Sequence, residues 1–334
     1  MQEFHYIIKA SSVEELVEKQ KQLLENAADG RKAVFRKYFL KDAASQHPAL
    51  PDEQGAVSYV QQPPLGGTAV AVWIYAVSGA EVEYGPSRTI VRGDGVEHIW
   101  TAGIVSPEGG SEEQSAGILE SYGKDLCAVG LSIADNCVRT WFYVDDIDNN
   151  YAGMVKARRE NFERCGLLPT THYIASTGIA GKPAADGAIV QMDAYSVRGL
   201  ENCRQRYLYA PTHLNPTYEY GVTFERGVRV EYSGKSHILI SGTASIDNRG
   251  EILHVGDVAA QTLRMWENIE KLLEEGGSGW NDVRQIAVYL RNASDYATVA
   301  PMFETMFPDI PYVIVHAPVC RPGWLIEMEC IAIF

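Results

Sequence analysis

The chain has no apolar run long enough to cross a bilayer. The longest, residues 68–77 (TAVAVWIYAV), falls far short of the roughly 20 residues a membrane helix needs. The opening decapeptide, MQEFHYIIKA, lacks the basic and then apolar pattern of a secretory signal, so the expected setting is soluble and cytoplasmic, with no membrane partner. Cysteine pairs are missing too: Cys127, Cys137, Cys165, Cys203, Cys320 and Cys330 include no C-x-x-C, and the eight histidines include no H-E-x-x-H. Neither a disulfide framework nor a zinc site is indicated, and no metal or cofactor is expected. Positive charge is scarce, with 29 Lys and Arg against 43 Asp and Glu for a formal net charge of −14. That disfavours a phosphate-binding surface and therefore a nucleic-acid partner.

What is present is enough apolar material for a large core. At 334 residues and 46% hydrophobic content, the length suggests two or three structural units. The C-terminal stretch 325–334 (LIEMECIAIF) alternates with a strand's period of two. Ile326, Met328, Cys330, Ala332 and Phe334 take one face, while Glu327 and Glu329 share the other with Leu325, Ile331 and Ile333. Residues two apart on a strand lie ~6.5 Å from one another, so two carboxyl groups meeting in one poorly solvated pocket would leave one of them hard to ionise. The alternative is an edge strand whose glutamates reach water.

Internal repetition organises the rest. Residues 33–45 (AVFRKYFLKDAAS), 137–151 (CVRTWFYVDDIDNNY) and 282–296 (DVRQIAVYLRNASDY) each read as a strand, a polar break and a helix start. Each is followed by a Pro/Gly turn running into an apolar strand, at 61–77, 176–197 and 319–333. Upstream of each lies a helix candidate, at 12–27, 112–131 and 257–275. The first opens with the capping box Ser12-Val-Glu-Glu15, and the third carries Leu263, Trp266, Ile269 and Leu273 on one stripe. Glu83-Tyr84-Gly85 followed by His98 to Gly103 answers Glu219-Tyr220-Gly221 followed by His237 to Gly242, a strand-pair opening that the first unit lacks. The expected fold is α+β, with one truncated unit (about 1–80) and two full ones (about 81–200 and 215–334). Each has a sheet carrying two helices on one face, and residues 198–216 act as a connector.

The third unit, from SGTAS (241–245) through GDVAAQT (256–262) to CRPGWLIEMECIAI (320–333), resembles the Rid/YjgF superfamily. The whole chain resembles its chorismatase branch, through RTWFYVDDI (139–147), the YxxMxxARxxxF spacing (151–162), STGIAG (176–181), YEYGVTFERG (218–227), SGTASI (241–246) and CRPGWLIE (320–327). The resemblance implies Rid/YjgF-like (chorismate mutase-like) units closing an intrachain pseudo-trimer, so that a single chain suffices. It also implies a dianionic, chorismate-like substrate that loses pyruvate after protonation of its enolpyruvyl group, with no cofactor.

On this resemblance Glu327 is the general acid, with Glu329 raising its pKa. Forked guanidinium groups suit carboxylates, and Arg321, Arg158 and Arg226 lie in the matched motifs, although position alone does not choose between Arg158 and Arg159. Tyr220 would donate to the ether oxygen or a ring hydroxyl. Ser176, Thr177, Ala244 and Cys320 would line the pocket, the last two steering the product between a dihydroxycyclohexadiene carboxylate and a hydroxybenzoate. His98 and His237 read as structural, and His316 as a pocket wall or core residue. Two other function classes stay open: a Rid-type imine or enamine deaminase, or an endoribonuclease by similarity, and a non-catalytic scaffold for a small ligand. The arginine that small Rid enzymes place near the position of Tyr312 is absent here, and the net charge disfavours the ribonuclease.

Overall fold

The computed structural model describes residues 1–334, with the side chain of Tyr220 excepted. Its three sheets repeat one order. The first comprises β1 (Gln2–Ala10), β2 (Lys32–Leu40), β3 (Ala56–Gln61) and β4 (Val70–Ser78), arranged β1-β4-β2-β3, with α1 (Val13–Glu25) on its outer face. The second contains β5 (Glu81–Gly85), β6 (Arg88–Gly93), β7 (Val96–Val105), β8 (Cys137–Val144), β9 (Ala175–Ala180) and β11 (Val190–Arg198). Its order, β5-β6-β7-β11-β8-β9, carries the same four-strand core, with α2 (Ser111–Ala128) and α3 (Ile147–Arg164) beside it; the two-residue β10 (Lys182–Pro183) joins the first sheet instead. The third contains β12 (Arg204–Leu208), β13 (Gly227–Tyr232), β14 (Lys235–Ala244), β15 (Val283–Leu290), β16 (Tyr312–His316) and β17 (Ile326–Ile333), in the order β12-β13-β14-β17-β15-β16, with α4 (Val258–Glu275) and α5 (Tyr296–Met306). This is the α+β fold expected, with one truncated and two full units.

Backbone contacts close the three units into a ring. The outer edge of β3 is met by β10 of the second unit, β9 by Glu225 of the third, and β16 by Pro64 of the first. Each unit thus caps the exposed parallel edge of the one before it, which removes strand edges that would otherwise pair with other chains. The inner faces converge on an aromatic centre in which Phe35 and Trp73 of the first unit lie 5.0–6.3 Å from Trp100 and Trp141 of the second. One buried apolar cluster runs through all three units.

Several expectations need correction. After β2 the first unit has only a helical turn, Ala43–Gln46, because the prolines in His47-Pro48-Ala49-Leu50-Pro51 cannot continue a helix; its sheet therefore carries one full helix rather than two. Residues 198–216 are not merely a connector. They hold β12, whose exposed Arg204, Gln205 and Arg206 disguise an edge strand as a linker. It is β12 and β13 that match β5 and β6, whereas Glu219 and Tyr220 lie in a 3-10 turn, Thr217–Tyr220. Of the expected stripe on α4, Trp266, Ile269 and Leu273 are buried, joined by Thr262, Met265 and Leu272, whereas Leu263 is 53% exposed and faces away from the sheet. The Ser12 cap holds, its hydroxyl accepting from Glu15 N–H at 3.2 Å.

Candidate active site between the second and third units

β17 is central in its sheet, hydrogen-bonded to β14 on one side and β15 on the other, so its acidic pair cannot be an edge feature. The period of two aims Glu327 and Glu329 at the inner face, where β8 and β9 of the second unit stand. The register sets Glu327 opposite Ala244 and Tyr289, and Glu329 opposite Ala287. Both glutamates are buried, 5% and 4% exposed.

Their surroundings separate them chemically. Glu329 is a fully partnered carboxylate. Arg139 Nη2 lies 2.7 Å from Oε2, which also accepts a short hydrogen bond from Thr177 Oγ1, while Trp141 Nε1 and Tyr289 OH donate to Oε1 at 3.0 and 2.9 Å. Four donors, one of them charged, satisfy both Glu329 oxygens. Glu329 does not line the cavity; it sits behind it. Glu327 does line the cavity, and burial, reinforced by the charge of Glu329 and opposed by Arg226 and Arg139, pushes its pKa up to about 8. At neutral pH the side chain is a carboxylic acid able to donate.

The cavity itself joins the two units. From the second unit come Tyr151 and Arg158 of α3 and Ser176, Thr177 and Gly178 of β9. From the third come Val222, Phe224 and Arg226, Gly242 and Ala244 of β14, Ile246, and the turn residues Cys320, Arg321 and Trp324. Three guanidinium groups therefore face one small space with a neutral acid. Arg158 is buried and its neighbour Arg159 exposed, which resolves the choice the spacing left open. Arg158 Nη1 donates to Ser176 Oγ at 3.3 Å. Arg226 grips Asn215 through its backbone oxygen at 3.0 and 3.3 Å and its Oδ1 at 3.2 Å, and both guanidinium groups lie within 6 Å of the Phe224 ring. Arg321 lies over Trp324 at 5.3 Å.

The other expected residues fall into place unevenly. Ser176 accepts from Thr140 Oγ1 at 2.8 Å, and Thr177 spends its hydroxyl on Glu329 and on Gly242 N–H, so it orients protein groups as much as it faces the cavity. Burial and Glu327 push the Cys320 thiol up to about 12, which leaves it protonated and unsuited to nucleophilic attack. Tyr220 sits in the loop that carries Val222 and Phe224, but its side chain lies outside the described residues. Arg139, Trp141 and Tyr289, which hold Glu329, were not singled out from the sequence. An arginine in an otherwise apolar strand, RTWFYV, was the available signal, since a buried cation needs a partner. Tyr151, Phe224 and Trp324 gave no such signal.

The third unit has known relatives. The family model described as Endoribonuclease L-PSP matches residues 226–334. A RutC family protein of Pyrococcus abyssi is 39% identical over 98 residues, which make up 28% of this chain and 76% of that protein. The chain belongs to the Rid/YjgF superfamily. A 3-aminoacrylate deaminase, RutC, of Acinetobacter baylyi is 30% identical over 97 residues, 28% of this chain and 77% of that protein. Across the whole length, this Rid/YjgF chain has the fold of a chorismatase of known crystal structure. The TM-score is 0.72 at 17% identity, covering 99% of this chain and 98% of that one.

Proposed function

We propose that the protein is a chorismatase-type enzyme, and that Glu327 protonates the enolpyruvyl methylene of chorismate or a close dianionic analogue. The observation that carries this reading is the neutral buried acid of Glu327 facing three arginines in one cavity. Protonation of the methylene carbon takes up the π electrons of the enol ether and leaves an oxocarbenium centre. Water adds to the oxocarbenium carbon, which bears the ether oxygen, and returns a proton to the carboxylate, and the resulting hemiketal expels the ring alcohol and releases pyruvate. Diversion of the activated ether from hydrolysis to aromatisation, with pyruvate leaving and no water consumed, gives a hydroxybenzoate; Ala244, opposite Glu327, and Cys320 line the cavity and bias that choice. Arg158, Arg226 and Arg321 hold the two carboxylates, and Tyr220 donates to the ether oxygen or a ring hydroxyl. The ring of contacts among the three units supports a chain that works without a second copy.

A second reading rests on the kinship to the deaminase RutC. An enamine such as 3-aminoacrylate is also activated by protonation at carbon, and Glu327 could supply that proton. Three arginines suit a dianion better than a monoanion. Incubation of the purified protein with chorismate, following pyruvate, and in parallel with an enamine substrate, following ammonia, decides between them. Pyruvate release above the uncatalysed rate is the expected result; ammonia alone favours the deaminase, and binding without either product leaves a ligand-binding scaffold.

A further inference from the structure

An acid that delivers a proton to one carbon must be held in place as well as kept neutral, and the structure shows what holds it. The Glu327 side chain lies back along β14 against the backbone of Gly242. A β-carbon at residue 242 would stand 2.2 Å from Glu327 Oε1, 2.8 Å from its carboxyl carbon and 3.1 Å from Thr177 Cγ2. The first two are far inside van der Waals contact, so the carboxyl group occupies the volume that any other residue would fill with its own side chain. The backbone does not explain the glycine, because Gly242 is not among the residues of positive φ. Its counterpart in the second unit, Gly103, has φ +68°, and the nearest atom to a β-carbon there is the Val57 carbonyl oxygen at 3.3 Å. Gly103 answers a backbone demand, whereas Gly242 answers a carboxyl group.

A second contact ties the same residue to the anion behind the acid. Gly242 N–H donates to Thr177 Oγ1 at 2.9 Å, and that hydroxyl donates to Glu329. The strand is irregular here, its register with β17 shifting between Ile240 and Thr243, which brings the residue 242 backbone up to the second unit's β9. We infer that Gly242 is a positioning residue for Glu327: the missing β-carbon seats the carboxyl group against the strand at the cavity wall, and turnover depends on that seat although Gly242 supplies no reacting group of its own. This deepens the reading of Glu327 as proton donor and rests on it.

The experiment is Gly242→Ala, read in two ways. The infrared carboxylic-acid band of Glu327, assigned by its loss in Glu327→Gln, is titrated without substrate; it follows protonation near pH 8 in the parent and moves to lower pH in Gly242→Ala, where the displaced carboxyl group enters the cavity beside Arg226. With chorismate, turnover falls about 10²-fold, the scale of a 1 Å misplacement, and the half-saturating concentration rises as the displaced carboxylate competes for Arg226. An unmoved band together with parental turnover overturns the inference. A parent that releases no pyruvate while the band still moves sinks the chorismatase reading and keeps the positioning role. If Gly242→Ala does not fold, the pair Gly242→Ala with Glu327→Asp, one methylene shorter, gives the answer: recovery of folding and of a titrating acid band supports the steric account, and no recovery rejects it.

Discussion

The interface between the second and third units differs from that between the first and second by a handful of side chains on one backbone plan. The strand register aligns them. Gln191 faces Tyr143 as Glu327 faces Tyr289, and Asp193 takes the place of Glu329 one step along. Ser58 stands where Thr177 does, and Lys37 where Trp141 does. In the first-to-second interface Gln191 Nε2 donates to Ser58 Oγ at 2.8 Å, and Gly103 N–H donates to Asp193 at 2.8 Å. Lys37, fully buried, lies over the Tyr143 ring at 4.2 Å, and burial, opposed by Glu329 and Asp193, pushes its ammonium pKa down to about 8. An amide stands where the acid would be, and a lysine where an indole donor would be. The third interface has Ala71 and Trp73 at the two acidic positions, by the same alignment of central strands. The plan of sheet, helix and edge is indifferent to chemistry; two inward positions of the central strand, together with the arginines that face them, decide it.

The comparison breaks most completely when the acid is made to match its neighbour. Glu327→Gln turns the candidate site into a copy of the Gln191 position and should lose roughly 10²-fold or more in turnover, with substrate binding retained, as measured by pyruvate release and by titration calorimetry. Arg321→Lys keeps the charge but loses the planar fork and the stacking on Trp324. It should raise the half-saturating substrate concentration about tenfold, a charge-assisted hydrogen bond's worth, with the melting temperature nearly unchanged.

Glu329→Gln acts on the acid from behind. The Glu329 charge raises the Glu327 pKa, so removing it lets Glu327 ionise at lower pH; the acid form is the active one, and the falling alkaline limb of the pH–rate profile should move down from about pH 8. Because Arg139 is then buried without its carboxylate, urea unfolding should also show a loss of about 3–5 kcal/mol. The structure thus revises the expectation that Glu329 acts only through its neighbour's pKa. The smallest effect comes from the reverse exchange. Gln191→Glu supplies an acid to an interface without the three arginines, and pyruvate release should stay as it was; a second active site appearing there would mean that the shared backbone, rather than the arginines, makes the pocket.

Much of this was legible in the chain and some was not, for identifiable reasons. The three strand-and-helix repeats, the inward acidic pair and the arginine before the last strand follow from alternation and turn chemistry, which are local. β12 was hidden because an edge strand with exposed arginines has the composition of a linker. Leu263 alone left the α4 stripe: its hydropathy favoured the core, but packing buried the neighbouring Thr262 instead, whose hydroxyl bonds back to Val258 O at 2.8 Å.

The sequence by itself determined the α+β repeat, the face of the last strand on which Glu327 and Glu329 lie, and the sparsity of metal-ligand patterns, since period, turn residues and composition act over a few positions at a time. Only the tertiary structure decided that Arg158 rather than Arg159 turns inward, that Arg139 from 190 residues away neutralises Glu329, and that Gly242 leaves room for the acid. The protonation of Glu327 belongs with these: it depends on desolvation and on charges brought from the second unit, and neither exists until the units have closed on one another.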